Sequence, residues 1–155
     1  MKYFTNDWDS DCAIMFDLLE SIEFYSGSER NRMLYVSPKI GGSMLYGYRD
    51  NPELKEVFKE YASLYFPSFE WTQVQMNKNY PCPPHFDSKN VGTSCMVAFG
   101  DYKGGDTCLF DAEENKINKY DARERPMIFN GSKTLHWVEP IKGNKTRYSL
   151  VFFNN

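Results

Sequence analysis

The sequence predicts an α+β fold in which N-terminal helices back an antiparallel sandwich or barrel of the jelly-roll kind. Two observations predict it. Up to about residue 70, apolar side chains recur at helical spacing; beyond it the period falls to two, and short apolar runs alternate with glycine-bearing turns. Helices first and strands after, within 155 residues, is the order of an α+β domain. The length fits a single domain, 1–155, with 1–70 as mainly helical support and 71–155 as the jelly-roll core.

A first helix is marked by Ile14, Met15, Leu18, Leu19 and Ile22, with Ser10 or Asp9 placed to cap its start. Asn51-Pro52 begins a second, a cap residue followed by a proline whose missing N–H costs nothing in the first turn. Its apolar stripe is Leu54, Val57, Phe58, Tyr61 and Leu64, and Pro67 stops it. Between the helices, Gly41-Gly42 and Gly47 suggest turns around a short hairpin. Trp71–Asn77 alternates as a half-buried strand does, with Thr72, Val74 and Met76 on one side and Gln73, Gln75 and Asn77 on the other. Further strands are expected over Ser94–Phe99, Asp106–Phe110, Pro126–Phe129, Thr134–Val138 and Thr146–Phe153. The turns between them hold Gly92, Gly100, Gly104-Gly105, Asn130-Gly131 and Gly143.

Composition narrows the class. Apolar residues make up 41% and aromatics 17%, enough to fill a core at this length, so disorder is excluded. The longest apolar runs, Cys95–Phe99 and Leu150–Phe153, are far too short to cross a bilayer, and no membrane partner is expected. Asp7, Asp9 and Asp11 stand where a signal peptide needs an apolar stretch, so an intracellular, unsecreted protein is expected. Cys12, Cys82, Cys95 and Cys108 are scattered and read as reduced thiols. The net charge of −3 gives no general attraction to nucleic acid. Residues 1–70 carry 7 basic and 12 acidic groups, and residues 71–155 carry 11 and 9, so the second half is the better place for an anion. A monomer is expected.

The chain has two histidines, in Pro83-Pro84-His85-Phe86-Asp87 and in Thr134-Leu135-His136-Trp137. On a strand, His85 and Asp87 point the same way and can face one cavity. Two imidazoles and one carboxylate on one face of an octahedral metal leave three positions open, which suits non-haem Fe(II) oxygenases. Cys82, three residues before His85, has a zinc-ligand spacing, but no second close pair completes such a site. Eleven residues after His136 comes Arg147, then Ser149, on a strand whose faces are Arg147, Ser149, Val151, Phe153, Asn155 and Tyr148, Leu150, Phe152. The second face is core. The first places an arginine beside a hydroxyl inside the barrel, where an unpaired guanidinium is costly. A dicarboxylate cosubstrate resolves this, its far carboxylate paired with Arg147 and hydrogen-bonded by Ser149. Against this stand plainer readings: packed histidines, a surface salt bridge from Arg147 to Glu139 or Asp121, and a turn-capping Asn90. Tyr80 either packs or lines the cosubstrate pocket.

The pattern His85-x-Asp87, His136 and Arg147-x-Ser149 resembles the 2-oxoglutarate- and Fe(II)-dependent dioxygenases, whose core is a double-stranded β-helix. Over about residues 71–155, His85-Phe86-Asp87-Ser88-Lys89-Asn90, Gly92-Thr93-Ser94, Tyr102-Lys103-Gly104-Gly105, Phe129-Asn130-Gly131 and Arg147–Phe153 resemble the TET/JBP family within them. Those enzymes hydroxylate the methyl group of 5-methylcytosine or thymine in nucleic acid. The resemblance implies that His85, Asp87 and His136 bind iron and that Arg147 and Ser149 bind 2-oxoglutarate. It places Asn90 near the edge of the base and Phe153 against its ring. Asn155 falls where TET proteins carry a base-contacting histidine, and Arg32, ahead of Arg30 and Arg49, is assigned as the family's further basic residue. The implied partners are O₂ and DNA containing 5-methylcytosine or thymine, with the base extruded from the duplex to reach a buried site. The cysteine-rich DNA-binding region of animal TET proteins is absent. Two alternatives are a hydroxylase of prolyl or lysyl side chains and a non-catalytic jelly-roll binding module.

Overall fold

A computed structural model describes residues 1–22, 34–36 and 52–154, with only the backbone given for 34–36. Helix α1 spans Trp8–Glu20, and its N-cap is Asp7, whose carboxylate accepts the backbone N–H of Ser10 at 3.1 Å. This corrects the expected cap: Ser10 is the third helical residue, the one whose N–H needs a partner, rather than the residue that supplies one. Met15 and Leu19 are buried, while Ile14, Leu18 and Ile22 pack at the edge of the same cluster. Helix α2 spans Pro52–Tyr65 and buries Leu54, Val57, Phe58, Tyr61 and Ala62. The Asn51 cap, the glycine hairpin at 41–47, Arg32 and Asn155 lie outside the described residues.

Two carboxylates tie the N-terminal segment down. Asp11, fully buried, accepts from Thr5 N (2.7 Å), Thr5 Oγ1 (2.8 Å), Asn6 N (2.9 Å) and the Tyr65 hydroxyl. Glu60 accepts from the backbone N–H groups of Lys2, Tyr3 and Phe4. Donors on three sides let a buried carboxylate stay charged.

The strands are β1 (Leu34–Val36), β2 (Gln73–Lys78), β3 (Ser94–Phe99), β4 (Lys103–Gly104), β5 (Thr107–Asp111), β6 (Lys116–Tyr120), β7 (Met127–Phe129), β8 (His136–Val138), β9 (Ile141–Lys142) and β10 (Tyr148–Phe153). They form an antiparallel sheet ordered β1-β2-β10-β3-β7, a second ordered β6-β5-β8, and the pair β4-β9. This is the jelly roll, or double-stranded β-helix, of an α+β chain. Central β10 sets Ser149 opposite Asn77 and Val151 opposite Gln75 on β2, and the same two residues opposite Ala98 and Met96 on β3.

The pleat divides the large sheet into two faces. Val74, Met76, Cys95, Val97, Phe99, Tyr148, Leu150 and Phe152 turn towards the helices. Phe152 meets Phe58, Phe66 and Trp71 edge-on at centroid distances of 6.0, 4.9 and 5.1 Å. The opposite face carries Asn77, Met96, Ala98, Ser149 and Val151. Part of it packs with Leu109, Ala122 and Phe129 in a second apolar cluster, and the rest lines the cavity described below. Among the described residues no helix is long and apolar enough to cross a membrane.

Candidate functional site

His85-Phe86-Asp87 is not the expected strand. His85 makes one isolated antiparallel bridge, to His136, by paired backbone bonds of 3.0 and 3.1 Å. Asp87 N–H then donates to Gly131 at 2.9 Å, and Asn90 N–H to Asp87 O at 3.0 Å. Two prolines before His85 deny the segment a longer ladder. Alternation survives without one, since His85 and Asp87 point into the cavity while Phe86 is 52% exposed.

The three side chains converge. Asp87 Oδ1 lies 3.2 Å from His85 Nε2, and Asp87 Oδ2 lies 3.0 Å from His136 Nε2. One ligand atom from each falls within 4.8 Å of the others. Each Nδ1 faces a carbonyl, Pro83 O at 2.7 Å for His85 and Thr134 O at 2.8 Å for His136. A carbonyl can only accept, so each Nδ1 carries the proton and each Nε2 is left as the ligand atom. The Asp87 hydrogen bond, helped by Cys82, pushes His85 up to about 10. Burial alone would raise Asp87, but the two imidazoles hold it well below the usual carboxylate range. Gly131 makes room for this contact: a Cβ there would stand 3.0 Å from Asp87 Oδ2 and 3.2 Å from His136 Cε1. Cys82 Sγ approaches the Nδ1 side of His85, at 3.2 Å, and stands outside the ligand cluster.

Arg147 is 1% exposed, which removes the surface salt-bridge reading; Asp121 pairs with Arg123 at 2.9 Å and Glu139 with Lys119 at 3.1 Å. Asn79 anchors its backbone from both sides, accepting Arg147 N–H at 2.7 Å and donating to Arg147 O at 2.8 Å. It does so at φ +50, a conformation asparagine tolerates better than most residues. The Tyr102 ring lies between two guanidinium groups, 4.0 Å from that of Arg123 and 5.4 Å from that of Arg147. Gly105, at φ +67, leaves space for the arginine stem, since a Cβ would lie 2.9 Å from Arg147 Cδ. Nε and Nη2 of Arg147 are buried without a hydrogen-bond partner, and burial pushes its pKa down from the ordinary value. Two of its nitrogens therefore hold N–H groups that meet no acceptor.

Cys82, His85, Asp87, His136 and Arg147 line one cavity of about 200 Å³. Of the residues singled out from sequence, Tyr80, His85, Asp87, Asn90, His136, Arg147, Ser149 and Phe153 meet there. Gln75, Asn77, Cys82, Lys89, Met96 and Phe129 line it too, without having been assigned a role in the site from sequence. The polar side of Gln73–Asn77 was the available signal, because in a jelly roll one strand face looks inward.

A jelly roll whose cavity is lined by both a His-x-Asp…His cluster and a buried arginine is the class that fold and site define. No protein-family model and no curated protein matches the sequence. Solved structures match its fold. NgTET1 in complex with 5mC DNA is similar over 93% of this chain and 67% of its own, with a TM-score of 0.59 at 17% identity. A Pseudomonas putida prolyl-4-hydroxylase is similar over 99% and 89%, with a TM-score of 0.57 at 12% identity. A prolyl 4-hydroxylase from Phytophthora capsici is similar over 98% of this chain and 56% of its own, with a TM-score of 0.55 at 14% identity.

Proposed function

We propose that the chain is a 2-oxoglutarate- and Fe(II)-dependent dioxygenase. The observation that carries this is the buried guanidinium of Arg147, with Nε and Nη2 unpartnered, in the same cavity as the His85–Asp87–His136 cluster. The donor set, two imidazole Nε2 atoms and one carboxylate, suits Fe(II) and leaves room for other ligands. Arg147 and Ser149 supply N–H and O–H donors for the far carboxylate of 2-oxoglutarate, and Tyr80 lines the same space. His85, Asp87 and His136 would hold Fe(II), which with 2-oxoglutarate and O₂ would supply hydroxylation of a substrate C–H bond, with succinate and CO₂ as coproducts. The protein's own part is placement. Pro83 O and Thr134 O fix the two rings, and Asn79 and Tyr102 hold the arginine.

The substrate we propose is 5-methylcytosine or thymine in DNA. Asn90 and Phe153 line the cavity, one able to hydrogen-bond a base edge and the other to stack on its face. The likeness to NgTET1 bound to 5mC DNA supports the same reading. Arg32 and Asn155 are proposed to complete the substrate side. The second reading, a hydroxylase of prolyl or lysyl side chains, is favoured by the similar TM-scores to two prolyl 4-hydroxylases. Mass spectrometry of methylated and unmethylated DNA, after incubation with protein, Fe(II) and 2-oxoglutarate, tests the choice. A hydroxymethylated base is expected. Succinate formation stimulated by proline- or lysine-containing peptides and not by DNA would shift the assignment to protein.

A further inference from the structure

On the inward face of β2, the two amides that line the cavity are left idle by the foregoing chemistry. Gln75 and Asn77 stand two residues apart there, paired in register with Val151 and Ser149. Asn77 is 7% exposed, and a buried amide has to place its N–H and C=O groups well. Gln75 Nε2 donates to Asn77 Oδ1 at 3.0 Å, and Asn77 Nδ2 donates to Ser149 Oγ at 3.1 Å. The two bonds run in one direction. With the Asn77 carbonyl held by Gln75, its amide must face Ser149. The serine oxygen therefore receives an N–H, and its own proton is left for the cavity that contains the unpaired Nε and Nη2 of Arg147. The opposite direction would spend the serine proton on Asn77 and turn lone pairs towards an incoming carboxylate.

We infer that Asn77, oriented by Gln75, is a positioning residue that makes Ser149 a hydrogen-bond donor to the far carboxylate of the cosubstrate. The inference rests on the 2-oxoglutarate reading proposed above. Titration of the anaerobic, Fe(II)-loaded protein with 2-oxoglutarate tests it as a dissociation constant. Asn77→Ala should weaken binding about tenfold, the usual scale for losing a buried hydrogen bond. Asn77→Asp, of the same shape but able only to accept, should weaken it more. Gln75→Ala, at a half-buried position that folding tolerates, should weaken it about threefold. Because Asn77 acts through the serine, Asn77→Ala should cost less than about twofold in a Ser149→Ala background. Iron affinity should hold throughout. Wild-type affinity in both Asn77→Ala and Gln75→Ala, or full additivity with Ser149→Ala, would overturn the inference. Wild-type protein that binds no 2-oxoglutarate would overturn the underlying reading as well.

Discussion

Gly131 and Arg147 show how single residues set the chemistry. Gly131 has no side chain because Asp87 and His136 occupy the space where one would stand. Gly131→Ala should shift Asp87 and weaken Fe(II) binding about tenfold, the scale on which groups supporting a metal ligand act, as read by anaerobic calorimetry. Asp87→Ala removes a proposed iron ligand and should abolish tight binding in the same experiment. Arg147→Ala should raise the dissociation constant for 2-oxoglutarate roughly a hundredfold while leaving iron binding intact, since a paired charge is worth about 1.5–3 kcal/mol. Residue identities carried much of this in the sequence. Only two histidines exist, and Arg147, expected on the inward face of a strand, lies buried just ahead of β10 with Nε and Nη2 unpartnered. The partners that fix them, Pro83 O, Thr134 O and Asn79, are backbone atoms or a turn residue that leave no distinctive pattern in the sequence.

At the scale of elements, periodicity located β3 to the residue, because all six of its positions are buried between glycine-marked turns. It overran β10 by two residues and β8 by two, where the chain is still turning out of a loop. Strand β6 escaped notice. Lys-Ile-Asn-Lys-Tyr is an exposed edge strand with charged residues at both faces, so no alternation marks it. The helices are held by carboxylates as well as by packing. Asp11→Ala leaves Thr5, Asn6 and Tyr65 without their acceptor and should destabilise the fold by about 2–4 kcal/mol in urea. Burial raises the Asp11 pKa, but its hydrogen bonds from Tyr65, Thr5 and Asn6 win and hold it below the ordinary value. The stability it contributes is therefore present above the ordinary carboxylate range and lost as pH falls through its lowered folded-state value. Urea midpoints measured from pH 6 downward should fall, and fall less in Asp11→Asn.

Across the whole molecule, β10 separates two functions. Its Tyr148, Leu150 and Phe152 seal the helices onto the sheet, while Ser149, Val151 and Phe153 line the cavity with Arg147 just ahead of them. Phe152→Ala should cost about 3–5 kcal/mol of stability by emptying the contact with Phe58, Phe66 and Trp71. The helix-then-strand order made the architecture legible in sequence, whereas the pairing of β2 with β10, 70 to 80 residues apart, comes from packing. That pairing brings Asn77 to Ser149, within the cavity that Arg147 and the His85–Asp87–His136 cluster also line. The most direct test of the central claim is anaerobic absorption spectroscopy during addition of Fe(II) and then 2-oxoglutarate. A visible charge-transfer band that requires both, disappears in Asp87→Ala and needs far more 2-oxoglutarate in Arg147→Ala is the predicted result. A wild-type protein that shows no band, and no binding of either compound, would contradict the account.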